Sequence, residues 1–253
     1  QFAQVVDERF LPMRRETGTT VPWYSNETAI HSLNGAERNQ ALTLFKKLLF
    51  AWSRGAIGYT WYDLRNDGFD PVDGEHNYGM LTNDFQPKPV YSVYNMLAGL
   101  YRDMKFIRQF ELGTNLWAFE FSNGSEILIP AWDESGFGSS LTLVVKSDAA
   151  AASTVDLMGN EKPQELLDGM ALLTLSPMPE TLRLSGAKHA EIAGRLLEVS
   201  SAGVAIPGRP FRFRIKLFNP LTSKRTFHLA LQNLPGSFHA AVPEQTIAVP
   251  AGE

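Results

Sequence analysis

Val21-Pro22-Trp23-Tyr24-Ser25-Asn26-Glu27 is the stretch from which the architecture of this chain is best worked out. It has the composition of a short buried strand, and it ends on a carboxylate. A second such strand, Ala56-Ile57-Gly58-Tyr59-Thr60-Trp61, ends on a tryptophan, and the residues between the two have helical spacing. Strand, helix and strand with reactive side chains at the carboxyl ends is the repeat of (β/α)8 barrels. We therefore expect an α/β fold, and a glutamate and a tryptophan in these places suggest sugar chemistry.

Helical patterns surround these two strands. Apolar residues at helical spacing predict a first helix over residues 1–16, with Gly18 as a C-terminal cap. A second helix is expected to start near Asn34 and to end at Gly55. After the second strand comes a long loop, 63–88, rich in Asp, Asn and Gly, and loops of that length are uncommon unless they are functional. Pro89 suits the first turn of a third helix, which ends near residue 104.

The hydrophobic period changes to two residues after Lys105, which predicts antiparallel strands. We expect strands at 106–112, 117–121, 126–132, 141–146, 153–157, 170–175 and 181–184. Asn123-Gly124 is a good hairpin turn. These strands predict a small antiparallel β-sandwich over 106–187. Further strands at 211–219, 226–231 and 245–249 predict an incomplete immunoglobulin-like sandwich over 188–253.

The bulk composition excludes several classes of function. The 253 residues are 44% hydrophobic and 20% charged, as in an ordinary globular protein. A net charge of -4 without a basic run argues against a nucleic-acid partner, and no apolar stretch is long enough for a membrane span. Without cysteine there is no disulfide, thiolate metal site or cysteine nucleophile. The oligomeric state stays open.

The two ends of the sequence suggest a segment of a longer chain. Gln1 opens directly into a helical pattern, and Pro250-Ala251-Gly252-Glu253 stops at a turn. No targeting signal precedes the first helix. The compartment stays open on these grounds, with a secreted, periplasmic or cell-surface location slightly favoured.

Several motifs resemble the end of the barrel in retaining glycoside hydrolases of clan A. The residues that carry the resemblance are Trp23-Tyr24-Ser25-Asn26-Glu27-Thr28, Ser53-Arg54-Gly55-Ala56, Tyr59-Thr60-Trp61-Tyr62-Asp63, Tyr78-Gly79-Met80-Leu81-Thr82-Asn83-Asp84 and Pro87-Lys88-Pro89-Val90-Tyr91. The resemblance covers residues 1–105, and the two β regions are similar to modules found beside such barrels. It implies the C-terminal part of a TIM barrel, helix six to helix eight, followed by all-β sandwich domains.

The resemblance also implies roles for single residues. Glu27 would be the nucleophile that ends the seventh strand, and Trp61 would end the eighth strand as the wall of a sugar subsite. Strands one to six, and the Asn-Glu pair that supplies the general acid/base, have no counterpart here. The expected enzyme is an O-glycosyl hydrolase acting by double displacement on an oligo- or polysaccharide, and this segment alone is expected to be inactive.

Strand alternation gives an independent view of Glu27. Val21, Trp23, Ser25 and Glu27 share one face by the two-residue period, so we expect the first three in a barrel interior and Glu27 at its mouth. A retaining mechanism needs such a carboxylate beside a second one. The alternative is a carboxylate on a solvated loop, which is common after a buried strand.

Other candidate substrate-binding residues lie near these strand ends. Tyr24, Asn26 and His31 are close to Glu27 in sequence, and Asp63 and Glu75 are the best candidates in the acidic loop. Acids and amides at a barrel mouth suit sugar hydroxyls, although most residues of such a loop are simply solvated. Trp61 could equally be a core residue that closes the barrel, and Trp23 and Trp52 are expected in the core.

No cofactor or metal is expected, since the sequence lacks a phosphate loop and a nicotinamide fingerprint, and the 67–75 spacing fails the calcium-loop pattern. Two rival functions stay open. One is a non-catalytic carbohydrate-binding or scaffold protein derived from a glycosidase barrel. The other is a structural module in which the β-sandwiches of residues 106–253 do the work.

Overall fold

A computed structural model describes residues 2–135, 140–201, 206, 209–231 and 241–253. The helices are α1 (Phe2–Val5), continued through a π-helical turn (Val6–Phe10) into α2 (Leu11–Glu16), then α3 (Glu37–Ser53) and α4 (Pro89–Leu100). Short 3-10 turns occupy Leu33–Gly35 and Glu75–Asn77. The helices thus lie where the apolar spacing predicts them, although α4 ends earlier than expected.

The strands are β1 (Trp23–Thr28), β2 (Ala56–Trp61), β3 (Lys105–Gln109), β4 (Leu116–Ser122), β5 (Glu126–Asp133), β6 (Ser140–Ser147), β7 (Ala151–Val155), β8 (Glu161–Gln164), β9 (Met170–Leu175), β10 (Glu180–Ser185), β11 (Ala190–Ser201), β12 (Phe213–Leu217), β13 (Arg225–Ala230) and β14 (Glu244–Val249). Strands β1 and β2 form a parallel pair. A six-stranded sheet has the order β3-β4-β5-β10-β7-β8, and a four-stranded sheet has the order β12-β11-β6-β9. Strands β13 and β14 form an antiparallel hairpin.

Helix α3 connects the two parallel strands. Its buried residues include Leu44, Phe45 and Leu49, which give it one apolar face against the other helices and the six-stranded sheet. Gly55, at φ 82°, lets the chain turn from α3 directly into β2. Within the described residues this parallel sheet has two strands and no barrel is closed, so the barrel stays a prediction.

The first helix and α3 are tied together by an ion pair. Arg54, at the end of α3, donates two hydrogen bonds to the Asp7 carboxylate, at 2.8 and 2.9 Å. Such a bidentate pair fixes the angle between its two elements more firmly than a single contact does.

The six-stranded sheet lies between two apolar cores. On one face, Phe119, Phe121 and Leu128 join the core formed with the helices. On the other face, Ile127 and Ile129 join a second core with the four-stranded sheet. Because both faces are covered, β5 is a nearly continuous apolar run rather than an alternating one.

Strand β11 links the two β regions expected from the sequence. It pairs with β6 on one side and with β12 on the other, and its register shifts at Gly194. Neither β11 nor the short edge strand β8 follows from the alternation pattern. The domain boundaries at 105 and 187 remain a prediction. The predicted strands at 211–219 and 226–231 fall on β12 and β13, and the one at 245–249 falls on β14.

Candidate functional site

Glu27 and Trp61 lie at the carboxyl ends of the neighbouring parallel strands. In the register Thr28 stands opposite Trp61, after a shift that begins at Ser25. Glu27 lies in this irregularity with φ 49°, a left-handed backbone conformation that few residues other than glycine adopt. Its side chain is exposed. Such outliers often mark functional sites, where the surroundings hold the strained backbone.

The predicted assignment of strand faces is wrong. Val21 lies before β1 and is 65% exposed. Trp23 is half-buried and packs edge-on against Phe10 at 4.9 Å, so it faces the helices instead of a barrel interior. Ser25 is buried. The alternation then breaks at Glu27 because the bulge interrupts the two-residue period.

Trp61 is part of the helix-side core. It is 8% exposed, and its indole Nε1 donates a hydrogen bond to the Tyr78 carbonyl oxygen at 3.3 Å. Trp61 therefore forms a floor between the strand end and the loop that follows, with little of its ring open to solvent. Burial raises the pKa of the neighbouring Tyr59 hydroxyl far above its usual range.

An aromatic rim borders the strand ends. The Tyr78 ring makes edge contacts with His31 and Tyr62, each with ring centroids 5.8 Å apart. The Tyr62 hydroxyl donates to the Asp67 carboxylate at 3.0 Å, and this bond raises the pKa of Tyr62. His31 and Tyr62 are exposed, so the rim presents ring surface and polar edges together.

Asp63 is half-buried just after the second strand and follows a cis peptide bond. Its Oδ1 atom is buried and has no hydrogen-bond partner among the described residues. Burial raises the pKa of this carboxyl, as does the Asp67 charge, while Lys88 and Arg65 partly offset the shift. Asp63 thus has one free acceptor atom.

Lys88 is a buried cation at the base of the 63–88 loop. It is 3% exposed, and its ammonium donates to Ser32 Oγ at 3.0 Å, Asn66 Oδ1 at 3.0 Å and the Asn77 carbonyl at 3.2 Å. Burial lowers the pKa of Lys88, and the charges of Glu37 and Asp63 oppose that shift. The three acceptors belong to three separate stretches of chain, which the ammonium joins.

Gln40 holds the same loop from the side of α3. Its amide Nε2 donates to the Tyr78 carbonyl at 2.9 Å and to the Ile30 carbonyl at 3.1 Å. The Oε1 atom of Gln40 is buried without a partner in the described part of the chain. The same loop has a further hydrogen bond that does not involve Gln40: the Gly79 amide donates to Asn66 Oδ1 at 3.0 Å.

The remaining predicted site residues lie farther out. Tyr24 is 58% exposed on the open face of the parallel pair, and Asn26 is exposed in the strand irregularity. Glu75 is exposed in the 3-10 turn, where its amide donates to Asp73 Oδ1 at 3.0 Å. The structure thus brings Asn26 and Glu27 to the end of β1, next to Trp61 at the end of β2, and Asp63 follows just after Trp61. Glu75 lies near the rim, since its charge contributes to the raised pKa of Tyr62.

Two acidic side chains of the loop, those of Asp70 and Asp73, cap turns. Asp70 Oδ1 accepts the Val72 amide at 3.0 Å, as Asp73 accepts that of Glu75. Across the described ranges, no group of three or more His, Asp or Glu side chains is arranged to hold a metal ion. No described helix is both long and apolar enough to cross a membrane.

The sequence analysis gave no role to Tyr62, Tyr78, Lys88, Gln40 or Asn66, although the first three lie within the motifs that carry the resemblance. Two of them carried a signal. Lys88 stands between two prolines at the start of α4, where a lysine is otherwise an ordinary surface residue, and Gln40 is a polar residue within an apolar helix face. Gln40 bonds backbone carbonyls, and Lys88 bonds one backbone carbonyl and two side chains from separate stretches of the chain; no residue pattern reveals these partners.

No protein-family model matches the chain, and no curated protein sequence matches it. Among solved structures, it is similar to a family 39 glycoside hydrolase from the gut symbiont Bacteroides cellulosilyticus, with 27% identity and a TM-score of 0.56 over 65% of this chain. It is also similar to a family 30 endoxylanase from Clostridium papyrosolvens, with 12% identity and a TM-score of 0.51 over 69% of this chain. The matches cover 34% and 44% of those proteins, so the chain spans less than half of either. The fold of this chain is related to that of glycoside hydrolases.

Proposed function

We propose that residues 1–253 are the C-terminal part of a retaining glycoside hydrolase that acts on an oligo- or polysaccharide. Residues 1–105 would be the last portion of a (β/α)8 barrel, with sandwich modules at 106–187 and 188–253. The observation that carries the proposal is the exposed, left-handed Glu27 at the end of one parallel strand, beside Trp61 at the end of the next. The similarity to glycoside hydrolases supports it.

Glu27 is proposed as the nucleophile of a double displacement. Its carboxylate attacks the anomeric carbon while a second carboxyl group, roughly 5–5.5 Å away, protonates the leaving oxygen. Water then hydrolyses the glycosyl–enzyme ester with that second group acting as base. We assign this acid/base to a part of the parent protein outside residues 1–253, and so we expect this segment alone to be inactive.

The surrounding side chains would bind the sugar. The largely buried Trp61 would floor the subsite, with the rim formed by His31 and Tyr62 as its wall. Asp63, just after the second strand, would contact a sugar hydroxyl through the carboxylate oxygen other than the buried Oδ1. Tyr24, Asn26 and Glu75 would add polar contacts at the edge.

The test is an assay of the full-length protein on a panel of aryl β-glycosides. We expect Glu27→Gln to lower kcat/KM by about 10³-fold or more, because a nucleophile has no substitute in this mechanism. Azide should restore turnover to Glu27→Ala, since a small anion can attack in the space that the carboxylate leaves. Glu16→Gln, an exposed glutamate at the end of α2, is the matched control. Near-normal turnover by Glu27→Gln would refute the proposal.

A non-catalytic carbohydrate-binding role is the second candidate. The observation that favours it is the exposed aromatic rim, which can bind a glycan without any second carboxylate. Absence of turnover on every glycoside, together with equal glycan binding by the wild type and Glu27→Gln, would select this function.

A further inference from the structure

The strongest feature that the proposed chemistry leaves unexplained is the buried Lys88 ammonium. A buried charge is costly unless it is paired or fully hydrogen-bonded. None of its three hydrogen-bond partners is a carboxylate, because they are a hydroxyl, a side-chain amide and a backbone carbonyl. A neutral side chain would avoid the cost of desolvating a charge. We therefore look for the role of the cation in the three groups to which it is hydrogen-bonded.

The ammonium holds the segment 77–79 from one side, and Gln40 holds it from the other. Lys88 bonds the carbonyl of Asn77, and Gln40 bonds the carbonyl of Tyr78. Lys88 also bonds Asn66 Oδ1, the atom that accepts the amide of Gly79. Consecutive backbone groups on both sides of Tyr78 are therefore fixed by these buried side chains.

Tyr78 passes this constraint on to the candidate site. Its carbonyl oxygen accepts the indole N–H of Trp61, and its ring contacts His31 and Tyr62. Ser32, which follows His31, is bonded to the same ammonium through its hydroxyl. Lys88 thus reaches the rim by two routes, one through Tyr78 and one through Ser32.

We propose that Lys88 is a positioning residue, whose ammonium fixes segment 77–79 and Ser32 and thereby sets the orientation of Trp61 and His31 at the strand ends. The effect on sugar binding rests on the proposed function, whereas the effect on orientation does not. Some backbone bonds survive without the ammonium, since the Ser32 amide also donates to the Asn77 carbonyl at 3.0 Å. Loss of Lys88 should therefore disorder the rim more than it destabilises the whole chain.

The experiment compares Lys88→Met with Lys105→Met, an exposed lysine on β3, in residues 1–253. Methionine keeps most of the length of the side chain and removes the charge and the three hydrogen-bond donors. In the ligand-free chain, NMR follows the indole N–H signals of Trp61 and of Trp132, which lies on β5. We expect Lys88→Met to shift the Trp61 signal and to speed its hydrogen exchange about tenfold or more, because the Tyr78 carbonyl that accepts this N–H then keeps its bond to Gln40 but loses the support of Lys88 on the neighbouring Asn77. Trp132 should not change, and Lys105→Met should leave both signals in place.

A milder variant keeps the proposal testable if Lys88→Met does not fold. Ser32→Ala removes one of the three acceptors, and we expect a smaller shift of the same Trp61 signal in the same direction. A folded Lys88→Met with an unchanged Trp61 signal would overturn the proposal. If Lys88→Met is unfolded, an unchanged signal in Ser32→Ala would do the same.

Sugar binding is measured separately, by titrating the same variants with β-1,4-linked xylo- and gluco-oligosaccharides. For the oligosaccharide that the wild type binds, we expect Lys88→Met to raise the Kd about tenfold, since preorganised contacts are lost. If the wild type binds none of the probes, the proposed site on this segment fails, and the NMR result still decides the positioning role. A displaced Trp61 with unchanged affinity would remove the sugar-binding part of the proposal.

Discussion

The six-stranded sheet and the 63–88 loop are stabilised in different ways. In the sheet, β5 is buried on both faces, and its backbone is paired with β4 and β10 along its length. In the loop, the backbone is held by isolated bridges, a 3-10 turn and single hydrogen bonds, such as that from the Met80 amide to the Asp63 carbonyl at 3.0 Å. Buried polar side chains add further bonds. Lys88 and Gln40 are the main ones.

This difference teaches where stability and function reside in the chain. The stabilising free energy of apolar burial is roughly proportional to the buried area and tolerates modest shifts of side chains. A hydrogen bond, in contrast, needs a particular geometry. We expect the sheet to carry most of the unfolding free energy and the loop to open locally at lower cost. The candidate site lies on the loop side, where single polar contacts determine the positions of its side chains.

The largest effect is expected from Phe119→Ala in the sheet. Phe119 is fully buried and packs against Trp132 at 5.4 Å between ring centroids. Removing its ring leaves a cavity and should lower the free energy of unfolding by about 3–5 kcal/mol. Chemical denaturation measures the change, with Ile107→Ala, an isoleucine that is 52% exposed, as the control. A loss no greater than that of the control would break the comparison.

A smaller, local effect is expected from Gly79→Ala in the loop. A Cβ atom at this position would lie 2.1 Å from the Asn66 amide nitrogen, a backbone atom that cannot turn aside. We expect a loss of about 1–3 kcal/mol, because the loop must shift. Hydrogen exchange should show the loop opening more often while the sheet keeps its protection.

Gly99→Ala is the control for this loop variant. Gly99 lies in α4, and a Cβ there would meet nothing within 4 Å. Alanine is the better helix former, so this change should be neutral or stabilising. If both alanine variants behaved alike, the close approach of Gly79 to Asn66 would have no energetic weight.

Tyr101→Phe tests the contact between the helical region and the sheet. The Tyr101 hydroxyl and Thr181 Oγ1 are 2.8 Å apart and buried, so the change leaves Thr181 without this partner. We expect a loss of about 0.5–1.5 kcal/mol in thermal or denaturant unfolding. Tyr94→Phe, at a residue that is 42% exposed, should change stability less. Equal effects would mean that this buried bond contributes nothing.

The smallest effect is a pH dependence from Asp63. Its folded pKa is raised, so its contribution to stability is fully present below its ordinary pKa of 3.8 and is lost as pH rises through the folded value. Asp63→Asn should therefore gain stability relative to wild type as pH rises above about 4, up to a plateau. The exposed Asp103→Asn is the control, and unfolding midpoints at several pH values provide the measurement. A difference that does not depend on pH would show that burial of Asp63 has no such cost.

The helices and most strands could be predicted because their cause is local and periodic. Helix α3 buries Leu44, Phe45 and Leu49 on one face, as the spacing of its apolar residues indicates. The hairpin at Asn123-Gly124 also forms as expected, with Gly124 at φ 83°. Strand β11 was not predicted, because Gly194 interrupts its alternation and its pairing partner β6 lies far away in sequence.

The candidate site could be predicted only in part. Glu27 and Trp61 end two predicted strands, and Asp63 follows the second one. Because parallel strands run in the same direction, the sequence places these residues at one edge of the sheet. The face on which Trp23 lies was predicted wrongly, because the contact with Phe10 lies between separate elements. The bulge at Glu27 is likewise invisible in the sequence, since it depends on how β1 pairs with β2.

The sequence by itself determined the succession of elements and the residues at the strand ends, because hydrophobic period, glycines and prolines act over a few neighbouring residues. Only the tertiary structure decided how those ends are held. The buried ammonium of Lys88 and the amide of Gln40 act on backbone carbonyls that are distant in sequence. Backbone atoms are the same at every position, so a sequence cannot say which of them a side chain will reach.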